Sequence, residues 1–168
     1  MITLVIGGVR SGKSELAARL AARHGEPVTV LVPTTFPTDP DLASRVRVHQ
    51  ACRPDSWSTI ECGAALPDTL AAYAGSALVD SLGTWVAETP DFDVDTPALL
   101  DTLATSGGPT VLVTEEVGLS VHAPTEAGRR FADALGALNA AVAAVADEAL
   151  LVVAGRAVPL RRPAGDGP

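Results

Sequence analysis

Lysine, cysteine and long apolar runs are all scarce in this sequence of 168 residues. No apolar run approaches the roughly 18 residues of a transmembrane helix, so we expect no membrane span. The two cysteines, Cys52 and Cys62, show neither metal-ligand spacing nor a disulfide framework. The net charge is -8 and no extended basic stretch is present, which argues against nucleic-acid binding. The apolar N-terminus has no basic leader, which predicts a buried strand and a cytoplasmic protein.

The scarcity of lysine is itself informative, because Lys13 is the single lysine against eleven arginines. Such a bias is typical of a GC-rich genome, in which surface lysines tend to be replaced. A lysine that persists there suggests a task that arginine cannot perform. A compact ammonium among phosphate oxygens is one such task, since the broad planar guanidinium does not fit the same space.

Apolar strands alternate with helices along the chain. The predicted strands are 2–6, 28–32, 77–80, 110–113 and 149–153, and the predicted helices are 13–23, 45–50, 66–73, 95–104 and 126–146. The strands are continuous apolar runs, which predicts a mainly parallel central sheet covered by helices on both faces. No linker or repeat divides the chain, so we expect a single α/β domain over 1–168, with about 161–168 as a frayed tail.

The most specific motif is a phosphate-binding loop of the G-x-x-x-x-G-K-[ST] type, which follows a predicted strand and opens a predicted helix. Its glycines let successive N–H groups point at phosphate oxygens, and the helix dipole adds positive potential. A chance glycine turn before a helix is the alternative. We predict that Lys13 reaches the β- and γ-phosphates and that the Ser14 hydroxyl ligates Mg²⁺. The predicted nucleotide-binding residues of the loop are Gly7, Gly8, Val9, Arg10, Ser11, Gly12, Lys13 and Ser14.

A bound Mg²⁺ also calls for a carboxylate at the end of a neighbouring strand. Asp80 ends Ala-Leu-Val-Asp, and Glu116 follows Val-Leu-Val-Thr-Glu. Asp80 could instead be a helix N-cap or a strand-end turn, and Glu116 a solvated loop acid. Ligands bind at these strand ends in open α/β sheets, which favours a metal role for both.

His49 lies in a predicted helix with Arg45 and Arg53 four residues to either side of it. A helical histidine beside arginines is, by itself, more typical of an exposed polar residue. The shared helix face would nevertheless hold phosphate. The neighbouring cations would also keep the imidazole neutral and nucleophilic.

Several segments taken together resemble the bifunctional adenosylcobinamide kinase / adenosylcobinamide-phosphate guanylyltransferase family of cobalamin biosynthesis. The resemblance runs in order from about residue 2 to residue 160, and outside the phosphate-binding loop its segments are specific. They are Arg-Val-Arg-Val-His-Gln-Ala-Cys-Arg-Pro-Asp-Ser-Trp, Leu-Val-Asp-Ser-Leu-Gly-Thr-Trp-Val, Val-Thr-Glu-Glu-Val-Gly, Arg-Arg-Phe-Ala-Asp-Ala-Leu-Gly-Ala-Leu-Asn and Ala-Asp-Glu-Ala-Leu-Leu-Val-Val-Ala-Gly.

The resemblance implies a RecA-like P-loop NTPase fold, a homotrimer and two reactions. ATP or GTP phosphorylates adenosylcobinamide, and GTP then donates GMP to adenosylcobinamide phosphate, giving adenosylcobinamide-GDP and pyrophosphate. It also implies that the guanylyl group rests on His49, with Lys13 and Mg²⁺ serving phosphoryl transfer. On this basis the predicted nucleotide-binding set extends to Thr34, Arg53, Glu61 and Asp80, and the predicted metal ligands are Ser14, Asp80 and Glu116.

The sequence departs from the family pattern at a few positions. The family usually has Asn before the Glu of Glu-Val-Gly, whereas this chain has Glu115, which adds negative charge near the nucleotide. The usual Ile-Val-Pro after Val-Gly is replaced from Leu119 onward. Pro33 also removes a backbone donor after the second predicted strand.

Two other functions are compatible with a phosphate-binding loop. A small-molecule kinase of the shikimate or nucleoside type usually carries an arginine-rich lid, and no clear lid segment is present. A nucleotide-dependent switch of the GTPase type is expected to carry a guanine-reading Asn-Lys-x-Asp. That motif is excluded because Lys13 is the only lysine.

Overall fold

The structure is a computed structural model that describes residues 1–34, 54–119 and 123–162. The strands of this part are β1 Ile2–Gly7, β2 Val28–Val32, β3 Ser58–Glu61, β4 Ser76–Asp80, β5 Thr110–Glu115, β6 Glu148–Val153 and β7 Arg156–Pro159. The α-helices are α1 Lys13–Arg23, α2 Leu66–Ala71, α3 Leu82–Glu88, α4 Thr96–Thr105 and α5 Glu126–Val145, and two short 3₁₀ helices span Gly63–Ala65 and Pro90–Phe92.

The strands form a single seven-stranded sheet in the order β3-β2-β4-β5-β1-β6-β7. Every neighbouring pair is parallel except β6 and β7, which form an antiparallel hairpin at one edge. The central strand β1 lies between β5 and β6, so that Gly7 is level with Glu115 on one side and Val152 on the other. The predicted mainly parallel α/β architecture is confirmed.

Two apolar layers cover the sheet, one on each face. On one face, side chains of α2 to α5 pack against alternate residues of the central strands around the fully buried Trp85, whose indole N–H donates to the Ala64 carbonyl oxygen at 3.2 Å. On the other face, α1 contributes Ala17 and Ala21 to a smaller layer of mostly valine. Each central strand is therefore apolar on both sides, which explains the continuous apolar runs in the sequence.

Apart from the short 3₁₀ helices, two strands and one α-helix of the described residues were not predicted: β3, β7 and α3. The strands β3 and β7 are the sheet edges and all their residues are exposed, so they lack the apolar run that identifies a central strand. Helix α3 is only seven residues long and includes Gly83 and two β-branched residues, a weak helix signal. Its stability comes instead from the Ser81 N-cap and from burial of Leu82, Trp85 and Val86.

The strands and helices that were predicted within the described residues agree with the structure to within two residues at their ends. The largest differences include the helix predicted at 66–73, which stops at Ala71. The helix predicted at 45–50 lies outside the described residues. In the tail, the described residues 161 and 162 have no regular secondary structure. None of the helices in the described ranges is long and apolar enough to cross a membrane.

Cys62 follows β3 and is half-buried against the larger apolar layer. Burial raises the pKa of its thiol from 9.0 to about 11, although a backbone hydrogen bond opposes the shift. Since only the thiolate is a good nucleophile, Cys62 should be inert at neutral pH.

We expect iodoacetamide to alkylate Cys62 roughly 100-fold more slowly at pH 8 than a thiol of pKa 9.0, because the thiolate is rarer by that factor. A Cys52→Ala variant leaves Cys62 as the single thiol, so mass spectrometry can follow its alkylation. The rate should keep rising up to about pH 11. A plateau near pH 9 in the folded protein would contradict the burial.

Candidate nucleotide-binding site

The turn between β1 and α1 is shaped by two residues in the left-handed region of backbone space. Arg10 has a φ of 57° and Gly12 a φ of 92°. The Ser11 N–H donates to the Gly8 carbonyl oxygen at 3.3 Å, and the Leu16 N–H donates to the Gly12 carbonyl oxygen at 3.0 Å as α1 begins. The conformation of Gly12 is one that side chains rarely adopt, so the second glycine of the motif is required by geometry.

Close packing holds this loop from both sides. A Cβ atom at Gly7 would lie 2.5 Å from the Ser11 Oγ and 2.8 Å from the Val152 carbonyl oxygen. On the outer side, the Gly155 N–H of the β6–β7 turn donates to the Ser11 carbonyl oxygen at 2.8 Å. A Cβ at Gly12 would lie 3.3 Å from the Gly155 Cα. The edge hairpin thus supports the phosphate-binding loop directly.

The two polar side chains at the start of α1 each face a carboxylate. The Lys13 Nζ lies 3.5 Å from the Glu115 Oε1 and donates to the Gly8 carbonyl oxygen, also at 3.5 Å. The Ser14 hydroxyl donates to the Asp80 Oδ1 at 3.5 Å. Arg10, Lys13, Ser14 and Glu115 all line one open cleft of about 570 Å³. The loop, its lysine, its hydroxyl and two acids therefore meet at the carboxyl ends of three adjacent parallel strands.

The alternation of side chains along β4 and β5 decides which acids reach this cleft. Leu78 and Val113 lie in the layer on the α1 face, whereas Thr114 donates to the Asn139 Oδ1 of α5 on the opposite face at 2.6 Å. Side chains two residues apart point to the same face of a strand. Asp80 and Glu115 consequently continue the α1 face, beside the phosphate-binding loop.

Hydrogen bonds hold both the carboxylate and the backbone of Glu115. The Ser81 hydroxyl lies 3.2 Å from its Oε1 and 3.1 Å from its Oε2, and the Asn139 side-chain amide donates to the Glu115 carbonyl oxygen at 3.0 Å. A Cβ atom at Gly83 would lie only 1.9 Å from the Glu115 Oε2, so α3 can pass this close only because it has a glycine there.

Glu116, which was predicted as a metal ligand together with Ser14 and Asp80, directly follows Glu115 at the end of β5. Its carboxylate accepts the N–H of Gly118 at 2.7 Å and the N–H of Leu119 at 3.0 and 3.1 Å, and so stabilises the turn after β5. Asp80 lies against Ser14 and Glu115 lies against Lys13, whereas the Glu116 carboxylate is bonded within its own turn.

The other predicted site residues are dispersed. Thr34 is buried just beyond β2, and its hydroxyl donates to the Glu88 Oε1 of α3 at 3.4 Å. Glu61 ends the edge strand β3 and is exposed, level with Val32 and far along the sheet from β1. His49, Arg45 and Arg53 lie outside the described residues.

Two residues that organise the site, Ser81 and Asn139, were not predicted from the sequence. Both contact Glu115 from another element of the fold, so no local motif marks them as site residues. The sequence offers only their positions: Ser81 directly follows Asp80, and Asn139 lies on the inner side of a long amphipathic helix. Within the ranges that the structure describes, no three His, Cys, Asp or Glu side chains form a ready-made metal-ligand group.

Comparison with solved structures supports the architecture. The chain matches an ATPase from the type III secretion system of pathogenic bacteria with a TM-score of 0.56 over 89% of this chain and 50% of that one. At 14% sequence identity this likeness concerns the fold alone.

Comparison with sequences is more specific. The chain is 36% identical over 170 residues to the bifunctional adenosylcobalamin biosynthesis protein CobP of Pseudomonas aeruginosa, covering 96% of this chain and 98% of that protein. It is 30% identical over 183 residues to the bifunctional adenosylcobalamin biosynthesis protein CobU of Salmonella typhimurium, covering 96% and 100%. A family model described as cobinamide kinase / cobinamide phosphate guanyltransferase matches residues 3–160. The chain therefore belongs to the cobinamide kinase / cobinamide phosphate guanyltransferase family.

Proposed function

We propose that this protein phosphorylates adenosylcobinamide with ATP or GTP and then transfers GMP from GTP to the product, giving adenosylcobinamide-GDP. The first step is a kinase reaction and the second a nucleotidyl transfer, in keeping with the family. The observation that carries the proposal is the convergence of Lys13, Ser14 and Asp80 around a complete phosphate-binding loop, in a chain whose family couples these two activities.

Phosphoryl transfer requires alignment and charge neutralisation more than covalent chemistry. Val9 to Gly12 line the cleft together with the first residues of α1, where the helix dipole favours a bound phosphate. Lys13 supplies the mobile positive charge, and Arg10 lines the same cleft. In the transfer, the acceptor hydroxyl oxygen forms a bond to the γ-phosphorus while the bond to the bridging oxygen breaks, leaving a nucleoside diphosphate.

The residues present fit a Mg²⁺ ion that arrives with the nucleotide. Mg²⁺ prefers oxygen ligands, keeps several waters and is usually held by one or two carboxylates together with substrate phosphates. Ser14 and Asp80 place a hydroxyl and a carboxylate oxygen 3.5 Å apart at the mouth of the loop, and these two residues would hold the ion. It would neutralise charge on the phosphate oxygens. Glu116 would take part only after releasing the N–H groups that its carboxylate now accepts.

Guanylyl transfer needs a nucleophile, and we assign that role to His49 by its resemblance to the family histidine. A neutral imidazole nitrogen attacks the α-phosphorus of GTP, forming an N–P bond as pyrophosphate leaves. A phosphate oxygen of adenosylcobinamide phosphate then attacks the same phosphorus, the N–P bond breaks and the imidazole is regenerated. Arg45 and Arg53 would stabilise the charge on the α-phosphate. We further propose that Thr34 and Glu61 contact nucleotide.

Replacing Lys13 by alanine should lower kcat/KM of the kinase reaction by roughly 100-fold or more, because the phosphates lose a preorganised positive charge. Phosphorylation of adenosylcobinamide is the assay. Arg23→Ala, at the far end of the same helix, is the matched control and should leave the rate unchanged. Normal phosphorylation by the alanine variant would overturn the assignment of the loop.

Replacing His49 by alanine should abolish guanylyl transfer while leaving much of the kinase reaction, because only the former uses a covalent intermediate. The protein is incubated with Mg²⁺ and GTP radiolabelled at the α-phosphate and then separated by denaturing electrophoresis. Wild type and a His24→Ala control, altered at the C-terminal end of α1, should carry an acid-labile label that His49→Ala lacks.

Two other outcomes, one of the labelling and one of the two activity assays, would change the proposal. No label on wild type would leave a small-molecule kinase without nucleotidyltransferase activity. Equal loss of both activities in a folded His49→Ala variant would assign that residue a role other than nucleophile.

We also propose that the protein is a cytoplasmic homotrimer, as its resemblance to the family implies. Light scattering coupled to gel filtration should give three times the mass of the chain. A monomeric mass at micromolar concentration would contradict this, and would mean that each active site is completed within one chain.

A further inference from the structure

We propose that Glu115 makes nucleotide binding conditional on Mg²⁺, by occupying Lys13 in the free protein and opposing the phosphates of a nucleotide that arrives without its metal. The proposal rests on the proposed binding of nucleotide at the phosphate-binding loop. It identifies Glu115 as a positioning residue that acts through Lys13.

The ion pair sits where the phosphates would bind. The Lys13 side chain is only 13% exposed and the Glu115 side chain 30%, and their charged atoms are 3.5 Å apart. Screening by solvent is weaker for such a pair than for two fully exposed charges. A phosphate that recruits Lys13 must therefore replace a carboxylate partner, and not merely water.

Several contacts oppose displacement of the Glu115 side chain when phosphate arrives. Its carboxylate is bonded by the Ser81 hydroxyl, its backbone is fixed by Asn139, and the adjacent Gly83 leaves no room for another side chain. An incidental surface acid would lack these supports. The carboxylate is thus a hydrogen-bonded negative charge in the wall of the cleft.

The balance of charge in the cleft shows why the metal would matter. Among the described residues that line it, Lys13 and Arg10 are the cations, and Lys13 is paired with Glu115, with Asp80 bonded to Ser14 next to it. The other lining acid among the described residues, Glu15, is already paired with Arg19 at 2.6 Å. A metal-free nucleoside triphosphate brings several more negative charges into this cluster. A divalent cation between the phosphates and Asp80 removes much of that repulsion.

Removing the charge of Glu115 should therefore improve binding of metal-free nucleotide and weaken the linkage between metal and nucleotide. Linkage is reciprocal, so any change in the affinity ratio for nucleotide equals the change for Mg²⁺. The expected effect is roughly a tenfold fall in the ratio of the Kd in EDTA to the Kd in saturating Mg²⁺, within the usual range of such couplings. Most of the change should come from tighter binding in EDTA.

The test is isothermal titration calorimetry with ATP and with GTP, in EDTA and in Mg²⁺, on the full chain. Glu115→Gln keeps the shape of the side chain and an acceptor for Ser81 while removing the charge, and Glu115→Asn removes the same charge if the glutamine variant fails to fold. Glu115→Asp keeps the charge and should stay within about threefold of the wild-type ratio. Asp101→Asn removes the charge of an exposed acid on α4 that does not line the cleft, so it is the control and should not alter the ratio.

A tenfold lower ratio in the neutral variants alone supports the proposal. An unchanged ratio, or weaker binding in EDTA, overturns it even if wild type binds Mg²⁺-nucleotide normally and the proposed function stands. If wild type binds neither nucleotide in Mg²⁺, both the inference and the proposed kinase role fail together.

Discussion

The site depends on the parallel register of β1 between β5 and β6. That register sets Gly7 level with Glu115 on one side and Val152 on the other, where any side chain larger than hydrogen would collide with Ser11 and with the β6 backbone. The loop that follows is then fixed in position by its neighbours before any ligand binds. The hairpin turn at Gly155 adds a hydrogen bond to Ser11 from the open side. Preorganisation of this kind lets backbone N–H groups act on phosphate without first being ordered.

Much of the fold could be predicted from the sequence because each central strand is buried on both faces. A strand such as β2, Val28–Val32, is buried at every residue, so its apolar run is unbroken and easy to recognise. The phosphate-binding loop was equally easy to predict, because its glycines and Lys13 lie within one short segment whose spacing is imposed by local geometry. Asp80 could also be predicted, because it is the polar residue that ends a buried apolar strand.

Prediction was weakest where tertiary contact decides the outcome. The exposed edges β3 and β7 and the short helix α3 carry little local signal, and their partners lie elsewhere in the chain. From the sequence we predicted Glu116 as an acid of the site, but which acid lies beside Lys13 depends on which face of β5 meets α1. The structure resolves it through Val113 and Thr114, whose side chains lie on opposite faces. A shift of one residue along a strand exchanges the two faces, so the identity of the acid beside Lys13 is a property of the packing.

The contact between Lys13 and Glu115 has a consequence for turnover as well as for binding. A site that opposes phosphate in its empty state binds nucleotide less tightly than the loop alone would, and differences in affinity within one site arise mostly in the dissociation rate. On the proposed assignment of Lys13 to the β- and γ-phosphates, phosphoryl transfer removes one of its two phosphate partners, and the lysine can return to Glu115. Uniformly tight binding of substrate and product would lower KM without accelerating the reaction. An ion pair that re-forms as product leaves therefore suits a site that must clear one nucleotide before it accepts the next.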